Sequence, residues 1–144
     1  MNTFNRLIGR RINGILVTPD HNRFAFRTVE GELLIYYTSG DCCNTVYLNH
    51  FMGADVVGGN SFDLLRGAVV LSAEEKEWVN VNNEDEESWN VVEDGFFTIR
   101  TDRGYIDFEV RNEHNGYYSG HVGEYSDGDL DAEELAEFEP LVDF

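Results

Sequence analysis

The residues best suited to chemistry are Asp41, Cys42 and Cys43, with His50 a few positions on and His114 and His121 far along the chain. By type they include zinc ligands, and a zinc site takes about four donors in tetrahedral array. Their spacing argues against it. Adjacent side chains of an extended chain point to opposite sides, so Cys42 and Cys43 do not both reach one ion. No Cys-x-x-Cys pair exists. A thiol with His50, His114 or His121 also has the types for a nucleophile and its base. A reactive thiol, however, needs an electropositive setting, and the net charge here is −18. The plainer account is one buried thiol, with the Asp41 carboxylate accepting backbone N–H groups of a turn or helix start. Consecutive Cα atoms lie about 3.8 Å apart, short of the usual ~4.4–6.8 Å of a disulfide. Reduced thiols, and with them a cytoplasmic setting, are expected.

Asp127-Gly-Asp-Leu-Asp131 opens like a calcium loop. Position six is Ala132 where an EF-hand needs Gly, and position twelve is Phe138 where it needs a bidentate Glu. Phosphate-loop, dinucleotide and nucleophile-elbow motifs are absent from the sequence. Arg10-Arg11 falls short of a nucleic-acid footprint. No catalytic residue, metal or cofactor is therefore expected. One pocket stands as the alternative: Asp41, Cys42, Cys43 and His50 brought close to Asn115, Tyr117 and Tyr118, in a small enzyme or ligand-binding domain.

Charge is the strongest compositional signal. Residues 1–66 balance six acids against six arginines, and the other 22 of 28 acids face only four bases after that. Such a field repels nucleic acid and favours basic partners. The acids concentrate at Glu84, Asp85, Glu86 and Glu87, and again in a run holding Glu124, Asp127, Asp129, Asp131, Glu133, Glu134 and Glu137. From Glu124 onward nine acids meet no lysine or arginine. The rival account is a solubilising surface with no partner.

These groups must be positioned by local structure. With 144 residues and 42% hydrophobic content the chain can bury a core of its own. Arg23-Phe-Ala-Phe-Arg-Thr28 alternates, which predicts a strand with Phe24 and Phe26 on one face. Leu33–Tyr37 follows it after a Gly31 turn, completing a hairpin system with Ile12–Val17. Phe96–Thr101, a turn at Asp102-Arg-Gly104, and Tyr105–Val110 predict a second. Phe26-Arg-Thr-Val-Glu-Gly31 and Ile99-Arg-Thr-Asp-Arg-Gly104 echo each other as apolar-Arg-Thr-x-x-Gly. Two related hairpins are one account of the echo, and chance likeness of strand–turn–strand grammar accounts for it equally well. Short helices are expected over residues 2–11 and from Asn44 or Thr45 to Met52, where Val46, Tyr47, His50 and Phe51 are near helical spacing. Strands are expected at 55–59 and 64–71, a capping box at Ser72–Glu75, and an exposed loop at 80–87. Leu130, Leu135 and Phe138 would line an acidic helix ended by Pro140.

The expected fold is α+β: mainly antiparallel sheet from two hairpin systems, one or two short helices and an acidic C-terminal segment. The division expected is a domain over 1–125 and the acidic segment over 126–144. No apolar run approaches the ~20 residues that span a bilayer. Arg10 and Arg11 break the first apolar stretch, so no signal peptide is expected.

Gly40-Asp-Cys-Cys-Asn44 and Arg111-Asn-Glu-His-Asn-Gly-Tyr-Tyr-Ser-Gly120, with Thr101-Asp-Arg-Gly-Tyr105 before the latter, resemble motifs paired in a group of small phage-encoded proteins of unassigned function. The resemblance spans roughly residues 12–125 and implies a phage or prophage origin, with no activity and no catalytic residues to transfer. The function expected is non-enzymatic: an accessory protein that binds a basic host protein, one with a nucleic-acid-binding surface, through its acidic half. Its sharpest form is inhibition of a host defence nuclease by imitating DNA, without contact to nucleic acid or membrane.

Overall fold

The computed structural model describes residues 3–39, 45–52, 65–76, 78–80, 91–114, 120–126 and 128–143. A 3-10 turn (Asn5–Leu7) leads into β1 (Arg11–Val17), β2 (Arg23–Thr28), β3 (Leu33–Ser39) and β4 (Thr45–Met52). Then come β5 (Ala68–Glu75), β6 (Val79–Asn80), β7 (Val91–Thr101), β8 (Gly104–His114) and β9 (His121–Glu124), followed by α1 (Ala132–Leu135) and β10 (Glu139–Asp143). The strands pair antiparallel in the order β4-β8-β7-β5-β1-β2-β3-β9, with β6 beside β7 and β10 beside β1. The antiparallel sheet expected from the alternating segments is present, and helix is almost absent among the described residues.

The order of the strands places the two echoed hairpins at corresponding positions in the sheet. β1-β2-β3-β4 and β5-β7-β8-β9 run through the sheet along matching paths, meeting where Arg11 and Ile12 pair with Val69 and Ala68. Their last strands are exchanged: β4 completes the second path beside β8, and β9 completes the first beside β3. In each hairpin the echoed threonine is buried and closes the turn. Thr28 Oγ1 accepts from the Glu32 N–H at 3.1 Å, and Thr101 Oγ1 donates to the Gly104 carbonyl at 2.8 Å. β1 and β5 each carry a bulge, between Ile12 and Gly14 and between Val70 and Ser72. An extra residue shifts the alternation by one, so Ile12 and Ile15, and likewise Val70 and Ala73, all reach the same core.

The sheet folds over on itself around that core. Phe97 stacks on Phe108 at 4.9 Å, and Phe24 from the other half meets Phe108 edge-on at 5.3 Å. Phe4, from the opening turn, fills the centre against Tyr36, Phe97 and Phe108. Each such ring removed from water contributes about 1.5–3 kcal/mol. The fold-over brings β4 against the β1–β2 turn and the end of β3. The Leu48 N–H donates to the His21 carbonyl at 2.8 Å, and Thr38 Oγ1 donates to the Val46 carbonyl at 2.8 Å. His21 holds a positive φ of 61°, and its Nδ1 lies 3.1 Å from the Leu48 carbonyl.

Several local expectations are corrected. Residues 2–11 do not form a helix beyond Asn5–Leu7, because no side chain caps that turn and the chain is captured by β5. The Gly9 N–H donates to Val70, and the Val70 N–H donates to Arg10. Thr45–Met52 is a strand, since β8 offers it a complete edge and alternation sends Val46 and Leu48 inward with Tyr47 outside. Ser72–Glu75 lies in β5 and caps nothing. The strand expected at 64–71 begins instead at Ala68, with Leu65 buried in the turn before it. The strand expected at 55–59 lies outside the described residues, as does the loop from residue 81 on.

Candidate functional site

The acidic C-terminal run is held on the outer face of β1–β3. That face presents Leu16, Ala25 and Ile35, and Phe138 is buried among them, with Leu33, Tyr125 and Leu130 packed around. The acidic helix expected there, with Leu130, Leu135 and Phe138 on one face, is corrected to α1, four residues whose ends exclude both Leu130 and Phe138. Asp131 and Glu134 form a capping box, in which the Glu134 N–H donates to Asp131 Oδ1 at 2.8 Å. Nothing basic follows in the last turn to favour its continuation. Pro140 lies within β10 opposite Leu16, where the register shifts by one residue; Pro is tolerated at such an irregularity on an outer strand.

Two of the acids gather on Arg23. Arg23, on the outer face of β2, lies 3.3 Å from Glu134, 3.9 Å from Glu137, and over the Tyr125 ring at 5.7 Å. Tyr37 reaches Tyr125 at 4.7 Å because Gly123 carries no side chain; an added Cβ would lie 2.2 Å from the Tyr37 ring. Glu124 sits in β9 and pairs with Arg6 at 3.4 Å. Asp129 Oδ2 accepts from the Ser126 N–H at 2.8 Å. The side chains of Asp129, Asp131, Glu133, Glu137 and Glu139 remain exposed. Of the acids singled out in the sequence, the structure therefore collects Asp129, Asp131, Glu133, Glu134 and Glu137 on one segment, with Glu124 at its start. Glu84, Asp85, Glu86, Glu87 and Asp127 lie outside the described residues.

The second pocket of residues is described only in part. Asp41, Cys42, Cys43, Asn115, Tyr117 and Tyr118 lie outside the described residues, and His50 stands in β4 opposite Glu109. His121 is exposed in β9, opposite Ser39.

Sequence reasoning did not single out Asp94 and Arg111, which face each other across β7 and β8 on the other outer face. Arg111 Nε and Nη2 donate to the two Asp94 oxygens at 2.9 and 3.0 Å, and Asp94 is buried. Those hydrogen bonds hold the Arg111 pKa above its ordinary value. Beside it Tyr47 Oη donates to Glu113 Oε1 at 3.1 Å, and burial followed by that acid raises the Tyr47 pKa. The pairing of Asp94 with Arg111 follows from the two-residue Asp102-Arg103 turn, in which Gly104 pairs with Thr101; the turn expected over Asp102-Arg-Gly104 is one residue longer and gives another register. A fixed guanidinium on a carboxylate is a structural clamp: both charges are already satisfied. A hollow of about 210 Å³ lies nearby, lined in part by Lys76, Phe96, Thr98, Asp107 and Glu109. Thr98 Oγ1 donates to Asp107 there at 2.7 Å.

No helix among the described residues is long and apolar enough to cross a membrane. No curated protein and no solved structure matches the chain. A family model described as a domain of unknown function (DUF7448) matches residues 5–123, from the opening turn to the last strand of the exchanged pair. The chain belongs to that family.

Proposed function

We propose that this protein is a non-enzymatic, phage-type accessory protein that docks its acidic half on a basic, nucleic-acid-binding protein of the host cytoplasm. The observation that carries the reading is the anchoring of the C-terminal segment. Phe138, Leu130 and Tyr125 pack on the sheet while Asp129, Asp131, Glu133, Glu137 and Glu139 stay exposed. A charge array fixed on a folded body avoids much of the ordering cost that a loose acidic tail meets on binding. Duplex DNA presents about one charge per 1.7 Å of axis, and imitation of that array would block a host defence nuclease. Asp131 and Glu134 spend part of their capacity capping α1, and Glu134 also faces Arg23. The outward array is therefore smaller than the sequence count.

The test is capture of host proteins at low and high salt, by the wild type and by a variant with Asp129→Asn, Glu133→Gln, Glu137→Gln and Glu139→Gln. A partner that binds the wild type in a salt-sensitive way, and the variant weakly and with a flatter salt response, is the expected result. Equal capture by both at every salt concentration would overturn the reading.

A further inference from the structure

The same C-terminal segment leaves a groove against the β2–β3 hairpin. It has a volume of about 450 Å³ and runs between Gly31, Glu32, Leu33 and Ile35 on one side and Tyr125, Ser126, Gly128, Leu130 and Leu135 on the other. Its apolar lining is Leu33, Ile35, Tyr125, Leu130 and Leu135. Leu135 is 39% exposed although it belongs to a helix of otherwise small and acidic residues. Folding alone does not use that side chain fully, and the groove is the surface it faces.

The segment that forms the second side carries one sign. Between Tyr125 and Phe138 the sequence has six carboxylates and no lysine or arginine. Three arginines stand close by and each is engaged: Arg6 with the Tyr125 carbonyl at 3.1 Å and with Glu124, Arg10 with Glu32 at 2.9 Å, and Arg23 with Glu134. An apolar floor inside an anionic rim is complementary to an apolar side chain flanked by cationic ones, whose aliphatic stems add contact. It is a poor match for a nucleic acid, for an anionic lipid, or for a second copy of this −18 chain.

We infer that the groove between Leu33 and Leu135 receives one large apolar side chain from a basic segment of the partner, and so is the anchor point of the docking surface. This rests on the acidic docking reading and adds a salt-resistant component to it. A buried anchor surrounded by charges at the rim is the usual division of labour in an interface: the anchor supplies affinity, and the charges supply steering and orientation.

The test uses fluorescein-labelled synthetic peptides of Lys, Arg and Ser with a single central Phe or Ala. Each is titrated against the full chain at about 50 and 300 mM salt, where screening differs strongly. The Phe peptide is expected to bind about tenfold more tightly than the Ala peptide at both concentrations, as burial of one aromatic side chain implies. Leu135→Gln should erase that preference and leave the salt dependence intact. Methyl resonances of Leu33, Ile35, Leu130 and Leu135 should shift with the Phe peptide alone. Equal affinity of the two peptides would overturn the inference, as would a Phe preference that survives Leu135→Gln with shifts elsewhere. Failure of the underlying reading looks different: peptide affinity would then be indifferent to salt and to neutralisation of Asp129, Glu133, Glu137 and Glu139.

Discussion

Phe138→Ala tests whether the acidic segment is part of the folded body. Phe138 is 9% exposed and closes the outer cluster of Leu16, Ala25 and Ile35. Transfer of a phenyl ring from water is worth about 1.5–3 kcal/mol, and cavity formation raises Phe→Ala to ~3–5 kcal/mol in dense cores. Here the cover is a single segment whose Leu130 and Tyr125 are only partly buried, so it can settle into the gap and recover part of the cavity term. The expected loss is roughly 2–3 kcal/mol. For a chain of this size that lowers Tm by about 5–12 °C. Thermal and urea melts read it directly. Leu141→Ala is the control: Leu141 is 40% exposed, and its removal should change stability by no more than about 0.5 kcal/mol. Amide exchange adds a local readout, because Gly14 to Val17 pair with β10 along one edge of β1. Those amides that face β10 should exchange faster in the Phe138 variant. If Phe138→Ala melts with the Leu141 control and exchange is unchanged, the segment does not contribute to the fold and the anchored array is wrong.

Tyr36 is fully buried, and its hydroxyl has no hydrogen-bond partner among the described residues. Burial first, then the Glu124 charge, raises its pKa above the ordinary 10.0. The neutral form is favoured in the fold, so this contribution to stability is whole below about pH 10 and is lost as the unfolded phenol ionises above it. Tyr36→Phe should match or exceed wild-type Tm at pH 7 and fall less steeply above about pH 10; a loss of more than ~1 kcal/mol at pH 7 would show a satisfied hydroxyl. Gly95→Ala would set a Cβ 2.5 Å from the Trp78 ring, which packs edge-on to Phe97 at 6.5 Å. Displacing that ring should cost about 1–3 kcal/mol and red-shift Trp78 emission in a Trp89→Phe background, whereas unchanged emission and Tm would place the ring elsewhere.

Alternation in the sequence was enough for β2 and for the parts of β7 and β8 next to their turn; the strand over residues 91–95 was not foreseen, and β8 continues through Asn112, Glu113 and His114, whose types suit a turn. Phe24 and Phe26, Phe97 and Ile99, and Ile106, Phe108 and Val110 all lie on the inner face, because a period of two admits a single buried side for a strand. A turn after Thr101 was legible from Asp102, Arg103 and Gly104, but its length was not: Gly104 belongs to β8 opposite Thr101, and that pairing sets the register that joins Asp94 to Arg111. The charge asymmetry, too, is a property of sequence alone. Thr45–Met52 was misread from its own residues, since Val46, Tyr47, His50 and Phe51 lie near helical spacing; the open edge of β8 decided for a strand. The exchange of β4 and β9 between the two halves was likewise invisible, because periodicity states which face of a strand is buried and is silent about which strand lies beside it. The acidic segment shows the same division most plainly. Its sequence set the charge and the spacing of three apolar residues, but whether those residues formed a helix face or a cover depended on an outer sheet face with Leu16, Ala25 and Ile35 to bury. Only the assembled β1–β3 supplies that face, and the free energy of covering it, rather than helix propensity, placed the carboxylates where they stand.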